Sequence, residues 1–209
     1  MSAKVLCSTA HGPHLALFDV TGPALERYAG RHGYELVVAH ERLSRGRPAA
    51  WDKIVMLHSL VARHDLVVWI DADALVVDGA PDIAGALARN RFLHLVEHRT
   101  SRGRVPNTGV LALQGGARSK RFLEHVWAQR RFVHDRWWEN AAVNHVLGYR
   151  HVRGMRPIAA SQWRGRVGFL DRAWNSIPDD PAARPHVVHF PGMPLDQRLH
   201  ELRRHAALV

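Results

Sequence analysis

Short apolar runs alternate with amphipathic segments along the first half of the chain. The predicted strands are residues 4–10, 34–39, 66–70, 74–77, 92–96 and 110–113. Apolar residues at helical spacing predict helices at residues 23–32, 49–63, 82–89, 117–130 and 137–147. Strands that alternate with helices favour an α/β fold, with a mainly parallel sheet and right-handed crossovers.

The pattern weakens after residue 147, where Arg, Gly, Pro and Trp interrupt the apolar runs as far as residue 180. A late strand is predicted at residues 186–190 and a basic helix at 195–207. The polar segments 41–47 and 98–105 are predicted to be loops. No internal repeat or low-complexity linker divides the sequence, so residues 1–209 are predicted to form a single domain.

The composition favours a cytoplasmic protein with a sizeable core. Hydrophobic residues make up 46% of the 209 positions, and no apolar run approaches the roughly 20 residues that cross a bilayer. The first ten residues lack the basic and apolar regions of a secretory signal. Cys7 is the only cysteine, which excludes an intramolecular disulfide and a cysteine-based zinc cluster.

The net charge of +10 indicates anionic partners such as nucleotides or phospholipids, although a general preference for arginine explains it equally well. Of the 29 basic residues only Lys4, Lys53 and Lys120 are lysines. Arginine binds phosphate bidentately, so peripheral contact with a membrane surface is open. No recognition helix, zinc finger or RNA-binding aromatic motif is present, and we therefore do not expect a nucleic-acid partner.

The strongest chemical feature is an apolar strand that ends in two carboxylates, Asp71 and Asp73, separated by Ala72. In open α/β sheets ligands bind at the carboxyl ends of the strands. Residues at i and i+2 of an extended chain point the same way, and two like charges there repel unless a cation or hydrogen bonds compensate. A divalent metal or ligand site is therefore favoured over a solvated turn.

Five segments, in order, resemble the galactosyl/mannosyl/xylosyltransferase family, the fungal galactosyltransferase and plant xyloglucan xylosyltransferase type. They are Trp51-x-Lys53, Trp69-Ile70-Asp71-Ala72-Asp73, Asn107-x-Gly109-Val110, Glu139-Asn140-Ala141-Ala142 and His189-Phe190-x-Gly192. The resemblance implies the GT-A fold, a Rossmann-like sandwich with a mixed, mainly parallel sheet. Residues 1–105 would form the nucleotide-binding half and residues 106–209 the half that binds the donor sugar and the acceptor.

The resemblance also implies the chemistry. Asp71, Asp73 and His189 would hold Mn²⁺, or Mg²⁺, against the diphosphate of a nucleotide sugar. Imidazole suits manganese better than magnesium. A hexose or pentose would pass to an unidentified hydroxyl acceptor with retention of configuration. UDP is the expected nucleotide, with GDP-mannose left open.

Several other residues are expected at the donor. Ser8 and Thr9 would contact the base, and Asn107 would contact the sugar, for which Gly109 would leave room. Ala72 and Gly192 belong to the matching motifs. For the diphosphate, the family's usual lysine after the histidine motif is missing here. Arg198, Lys53 or an arginine of segment 99–104 could replace it, although Lys53 could equally be a solvated helix residue.

A second departure lies in the predicted helix, where the family's Gln-Asp is replaced by Glu139-Asn140 or, in another register, Asn140-Ala141. Glu139 and Asn140 remain catalytic or donor-positioning candidates. Flat aromatic faces bind sugar rings, and the acceptor candidates are Trp163 and Trp174, with Trp137, Trp138, Asp171 and Asn175 nearby in sequence. A glycogenin-like or lipopolysaccharide galactosyltransferase-like enzyme, or a catalytically silent nucleotide-sugar-binding protein, are the alternatives.

Overall fold

A computed structural model of the chain describes residues 3–207. The strands, in chain order, are β1 (Lys4–Thr9), β2 (Glu35–Ala39), β3 (Leu66–Ile70), β4 (Ala74–Val76), β5 (Leu93–Thr100), β6 (Gly103–Gln114), β7 (Tyr149–His151), β8 (Met155–Pro157), β9 (Val167–Leu170) and β10 (Val187–His189). The helices are α1 (Leu15–His32), α2 (Asp52–Leu60), α3 (Ala117–Trp127), α4 (Trp138–Val146) and α5 (Leu195–Ala206).

The main sheet is mixed and carries the strands in the order β2-β1-β3-β6-β5-β9, with β7 and β8 attached beside β6. Strand β1 runs parallel to β2 and β3, and β9 runs parallel to β5. Strand β6 is antiparallel to both β3 and β5. All five residues of β3 are buried, as expected for an apolar strand covered on both faces.

Apolar clusters cover both faces of this sheet. One contains Trp51, Leu57 and Phe122 together with apolar residues of α4. The other contains Leu25 and Tyr28 of α1. A third cluster joins α1 and α5 to the small antiparallel sheet of β4 and β10. The predicted α/β architecture, a central sheet flanked by helices, is therefore confirmed.

Two predicted helix boundaries are wrong. Helix α1 begins at Leu15 and contains Pro23 in its interior, whereas the prediction started the helix at Pro23. Burial of Leu17 against the core extends the helix to residues before the proline. Residues 82–89 form only the short 3-10 helix Ile83–Ala86, in which the Ala84 N–H donates to the Asp82 carboxylate at 2.9 Å.

The arginine-rich segment 98–105 is not a loop. Strands β5 and β6 continue through it as a hairpin, with Thr100 opposite Gly103. The polar side chains of this segment masked its strand pattern in the sequence. Its basic residues lie exposed, whereas His98, which precedes them, is buried. Arg104 pairs with Glu97 across the hairpin at 2.6 Å. Within residues 3–207 no helix is both long and apolar enough to cross a membrane.

Candidate metal and donor site

The acidic pair lies where β3 ends at the carboxyl edge of the parallel strands β1, β2 and β3. The backbone N–H of Asp71 donates to the Gly109 carbonyl at 2.8 Å, and the N–H of Ala74 donates to the Asp71 carbonyl at 3.0 Å. The first bond extends the antiparallel pairing of β3 with β6 beyond Ile70. This pairing brings the Asn107–Gly109 segment beside the acidic pair.

His189 reaches the same edge from the other end of the sequence. Its strand, β10, pairs antiparallel with β4, and His189 lies opposite Ala74. The Nε2 atom of His189 is 3.2 Å from an Asp73 carboxylate oxygen and 3.8 Å from an Asp71 oxygen. One ligand atom from each of the three residues lies within 4.8 Å of the others, a grouping that could hold a metal ion.

The orientation of the His189 imidazole is set by two amides. Its Nδ1 lies 2.8 Å from the Asn175 side-chain oxygen, and the Asn175 amide nitrogen donates to the Asn107 Oδ1 at 2.9 Å. Since the Asn175 nitrogen is committed to Asn107, its oxygen accepts the Nδ1–H of His189. Nε2 then faces the carboxylates, so it is the ring nitrogen available to a metal.

Gly109 is required by His189. A Cβ atom placed on Gly109 would lie 2.2 Å from the Cε1 atom of the imidazole, which is far inside van der Waals contact. The missing Cβ of Gly109 therefore leaves room for the His189 imidazole, and room for the donor sugar stays a prediction. Asn107 Oδ1 accepts from both the Gly109 N–H and Asn175, so the oxygen proposed for the sugar is engaged within the protein.

Asp73 is held between two cationic or potentially cationic groups. Its second oxygen accepts from Arg198 Nη1 at 2.9 Å, and Arg198 Nη2 donates to the Met193 carbonyl at 2.7 Å. Burial raises the pKa of Asp73, but His189 and Arg198 outweigh it and lower the pKa to about 2. Arg198, predicted as a diphosphate ligand, thus lies beside a metal-ligand candidate, and its contact with a diphosphate stays a prediction.

Lys53 is neither solvated nor exposed to a ligand: it is 4% exposed. Its ammonium lies 3.0 Å from an Asp71 oxygen and 2.8 Å from a Glu139 oxygen, and it donates to the Thr108 carbonyl at 3.1 Å. Burial lowers the pKa of Lys53, yet Asp71 and Glu139 raise it well above its usual range. The interpretation of Lys53 as a solvated helix residue is wrong.

Glu139 and Asn140, at the start of α4, hold the Thr108 segment. The Glu139 carboxylate accepts from the Thr108 hydroxyl at 3.1 Å, and the Asn140 side-chain oxygen accepts from the Thr108 N–H at 2.9 Å. Burial raises the pKa of Glu139 against the opposing effect of Lys53. Thr108 was not among the predicted site residues, although its position between Asn107 and Gly109 places it inside a predicted motif.

Trp69 was likewise not among the predicted site residues. Its indole Nε1 donates to the Asp71 carboxylate at 2.6 Å. Since Trp69 is 2% exposed, its ring fixes the first aspartate from inside the sheet. Asp71 thus accepts hydrogen bonds from an indole and an ammonium on one oxygen and turns the other towards His189.

The remaining donor candidates lie along the same edge with different exposure. Ser8 is fully buried and its hydroxyl has no hydrogen-bond partner among the described residues, whereas Thr9 at the end of β1 is half-buried. The Ala72 carbonyl accepts from the Thr21 hydroxyl at 2.9 Å. Gly192 has a φ of 72° in the exposed turn before α5, a conformation that favours glycine.

The two tryptophans predicted to bind the acceptor are core residues. The Trp163 ring packs between Phe92 and Phe122 and is 9% exposed, and Trp174 is 4% exposed. Their faces are covered, so this arrangement does not favour a stacking role. Trp138 and Phe169 are each 45% exposed, and Trp138 directly precedes Glu139 and has an unusual φ of 43°.

Comparison with known proteins reveals a shared fold without close sequence similarity. No protein-family model matches the sequence, and no curated protein matches it either. The chain is similar to a glycosyltransferase involved in glycosylation of the major capsid of PBCV-1, with a TM-score of 0.71, 16% identity, and coverage of 96% of this chain and 99% of that one.

It is also similar to the galactosyltransferase LgtC, in complex with donor and acceptor sugar analogs, with a TM-score of 0.63 and 12% identity over 98% of this chain and 95% of that one. Mouse xyloside xylosyltransferase 1 gives a TM-score of 0.52 and 10% identity over 92% of this chain and 100% of that one. The sheet and helices of this chain therefore form the GT-A glycosyltransferase fold.

Proposed function

We propose that this protein is a metal-dependent glycosyltransferase that moves a hexose or pentose from a nucleotide sugar, preferably UDP-linked, to a hydroxyl acceptor with retention. The observation that carries the proposal is the convergence of Asp71, Asp73 and His189 at the carboxyl edge of the sheet. The fold neighbours that share nearly the whole chain support it, since they are named as glycosyltransferases.

The three residues fit a divalent cation. Two carboxylate oxygens and one imidazole nitrogen are a ligand set for Mn²⁺ in preference to Mg²⁺, because imidazole suits the softer ion. The Asn175 hydrogen bond leaves the His189 Nε2 free to bind it. A cation bound here would compensate the negative charge that builds on a diphosphate leaving group.

The other residues act by positioning and by charge. Arg198 lies at Asp73, where its guanidinium provides a second cation on the side of the expected diphosphate. Lys53 pairs with Asp71 at 3.0 Å and holds its carboxylate in place. Glu139 is buried and already engaged by Lys53 and Thr108, so we assign it positioning of the Asn107–Gly109 segment and not attack on the sugar.

This arrangement suits a retaining transfer in which the leaving phosphate oxygen takes the proton of the incoming hydroxyl on the same face. No strong base is then required of the protein, and geometry and charge carry the rate. Trp138 is the aromatic side chain that we assign to the acceptor, because it is exposed and adjoins Glu139.

A lipopolysaccharide galactosyltransferase-like activity is the second candidate within this proposal. The specific observation in its favour is the similarity to LgtC over 98% of the chain. It predicts galactose as the preferred sugar, whereas the family resemblance of the motifs leaves xylose and mannose open as well.

The test is a panel of UDP- and GDP-sugars screened by thermal shift with Mn²⁺, followed by measurement of donor hydrolysis. A bound donor raises the melting temperature by mass action, and a chelator should remove that shift. Asp73→Asn should lower turnover on the order of 1000-fold, because it removes part of several kcal/mol of charge stabilisation. Asp19→Asn on the exposed face of α1 is the matched control.

Binding of a nucleotide sugar without turnover would leave a silent binding protein and overturn the enzyme assignment. Wild-type turnover in Asp73→Asn would overturn the metal assignment.

A further inference from the structure

A cavity of about 540 Å³ lies on the side of α4 that faces away from Lys53. It is bounded by α4, by the short 3-10 helix Arg130–Phe132 and by the hairpin of β7 and β8. Its polar lining includes Arg131, Arg136, Arg150, Asn144 and His145. None of these residues takes part in the site described above.

The lining carries an excess of positive charge. Three guanidiniums face one carboxylate, that of Asp135, which accepts from the backbone N–H of Trp137. Within residues 3–207, none of the three arginines forms an ion pair. Arg150 donates instead to the carbonyls of His145 and Tyr149 at 2.9 and 2.7 Å. These neutral acceptors fix the guanidinium without compensating its charge.

His145 adds to this environment as a neutral group. Burial, followed by the charges of Arg150 and Arg131, lowers its pKa to about 4. The imidazole therefore accepts a hydrogen bond from Arg131, whose Nη2 lies 2.7 Å from Nδ1. Burial and the charge of Arg131 also lower the pKa of Arg150, as expected for cations that lack a counter-ion.

Asn144 points to a ligand independently of the charge. Its side chain is buried, at 1% exposure, and neither its oxygen nor its nitrogen has a hydrogen-bond partner among the described residues. Buried amides are nearly always paired, since an unpaired one loses its bonds to water without replacement. A ligand in the cavity that Asn144 lines would supply the missing partner.

We propose that this cavity binds a phosphate or carboxylate group carried by the sugar acceptor. Two guanidiniums and an amide N–H are the donors that such oxyanions take up, and arginine can bind them bidentately. The proposal rests on the proposed function, because it names the chemical class of the acceptor. It makes Arg131, Arg150 and Asn144 specificity-determining residues.

The position on α4 connects the cavity to the transfer site. Glu139 and Asn144 are five residues apart, which places them roughly 140° apart around the helix, and the helix is about 10 Å wide. Trp137 lines the cavity, Glu139 adjoins Asp71 through Lys53, and exposed Trp138 lies between the two. An acceptor could therefore place its anionic group in the cavity and pass over Trp138 towards the donor.

The first experiment needs no turnover. Inorganic phosphate is titrated in the presence of a chelator, and binding is followed by calorimetry and thermal shift. We expect Arg131→Gln and Arg150→Gln each to weaken phosphate binding about tenfold, as loss of one charge-assisted hydrogen bond implies. The exposed Arg166→Gln is the matched control and should bind as wild type. Undiminished binding in the Arg131→Gln/Arg150→Gln double variant would overturn the proposal.

Asn144→Leu gives a second reading with the opposite sign for stability. It should raise the melting temperature in phosphate-free buffer, because an unpaired amide is replaced by an apolar side chain of similar size, and it should weaken phosphate binding. Asp73→Asn should retain phosphate binding in this assay. If Asp73→Asn removed it, the phosphate would lie at the metal site and the cavity assignment would be wrong.

The second experiment identifies the source of the anion. Sugar phosphates, uronic acids and neutral sugars are compared as acceptors of the donor selected in the screen. We expect Arg131→Gln to raise KM about tenfold for the preferred anionic acceptor, with kcat little affected, since one charge-assisted contact is lost. Equal KM values for anionic and neutral acceptors in the wild type would overturn the proposal, while leaving donor turnover, and thus the proposed function, intact.

Discussion

The two aspartates of the acidic pair have contrasting surroundings. One Asp71 oxygen accepts from Trp69 and Lys53, in a network where the Lys53 and Glu139 side chains are 5% exposed, and its other oxygen faces His189. Asp73 pairs with His189 and with Arg198 of α5, and its side chain, at 13% exposed, is more enclosed than that of Asp71, at 24%. The acidic pair is therefore bounded by a structural ion network on the Lys53 side and by the candidate metal group on the His189 side.

Because of this difference, we expect one set of substitutions to affect folding stability and another set to affect ligand binding. Changes on the Lys53 side leave a buried charge without its partner and should affect folding first. Changes on the His189 side act on groups that would bind a metal, and they should affect ligand binding first. Four experiments test this separation.

The largest expected effect is that of Lys53→Met. It leaves the buried Glu139 carboxylate and the partly exposed Asp71 carboxylate without their shared cation, which should lower the free energy of unfolding by about 3–5 kcal/mol. Urea denaturation measures it. The double variant Lys53→Met/Glu139→Leu should recover part of the loss, since the buried partner charge is removed too. No recovery would mean that the two residues are not energetically coupled.

On the His189 side, Gly109→Ala should displace the His189 imidazole, because the new Cβ would overlap its Cε1 atom. Mn²⁺ affinity should fall roughly 100-fold, the upper end of what misplacing a ligating histidine through its neighbours costs. Calorimetric titration of the metal measures this loss. Gly30→Ala, in open space on α1, is the matched control. Unchanged affinity in Gly109→Ala would show that the metal does not use His189.

Acid pH should lower the contribution of Asp73, on the His189 side, to the free energy of unfolding. The pKa of Asp73 is lowered to about 2 in the folded protein, from an ordinary value of 3.8. Its contribution to stability is therefore present above about pH 4 and is lost as the pH falls through 2, a loss of roughly 2 kcal/mol. Unfolding free energies of the wild type and Asp73→Asn, measured in chelator from pH 6 to 2, should converge over that window. Parallel curves would contradict the shift.

The smallest effect is expected from Asn175→Leu. His189 would lose the acceptor of its Nδ1–H and with it the fixed ring orientation. Mn²⁺ affinity should fall roughly tenfold. This is the lower end of the loss expected when a ligating histidine loses its hydrogen-bond partner, because the partner here is a neutral amide. The urea midpoint should fall less than in Lys53→Met. A larger loss of stability than of metal affinity would break the contrast between the two sides.

Much of the fold followed from local pattern. The unbroken apolar run before Asp71 predicted β3, and its abrupt polar end predicted the edge where His189 is found. The prediction failed where polar residues form strands, as in the hairpin of β5 and β6, because arginines with long aliphatic stems can lie on a solvent-facing sheet surface.

The family resemblance anticipated the grouping of Asp71, Asp73 and His189, but not the hydrogen bonds and ion pairs that hold these residues in place. Nothing local in the sequence shows that Lys53 joins Asp71 to Glu139, since the three residues come from separate elements. Nor does the local pattern show that the side chain beside Gly109 is His189, which is supplied by β10. Such contacts depend on tertiary packing, which residue patterns encode only indirectly.

The pairing of β4 with β10 has a consequence for the birth of the protein. Because His189 and Asn175 come late in the sequence, a growing chain on the ribosome exposes its acidic pair long before the residues that complete the group exist. Nascent chains would therefore lack the complete candidate metal group until translation is almost finished, and a prematurely terminated chain would carry the acidic pair without His189.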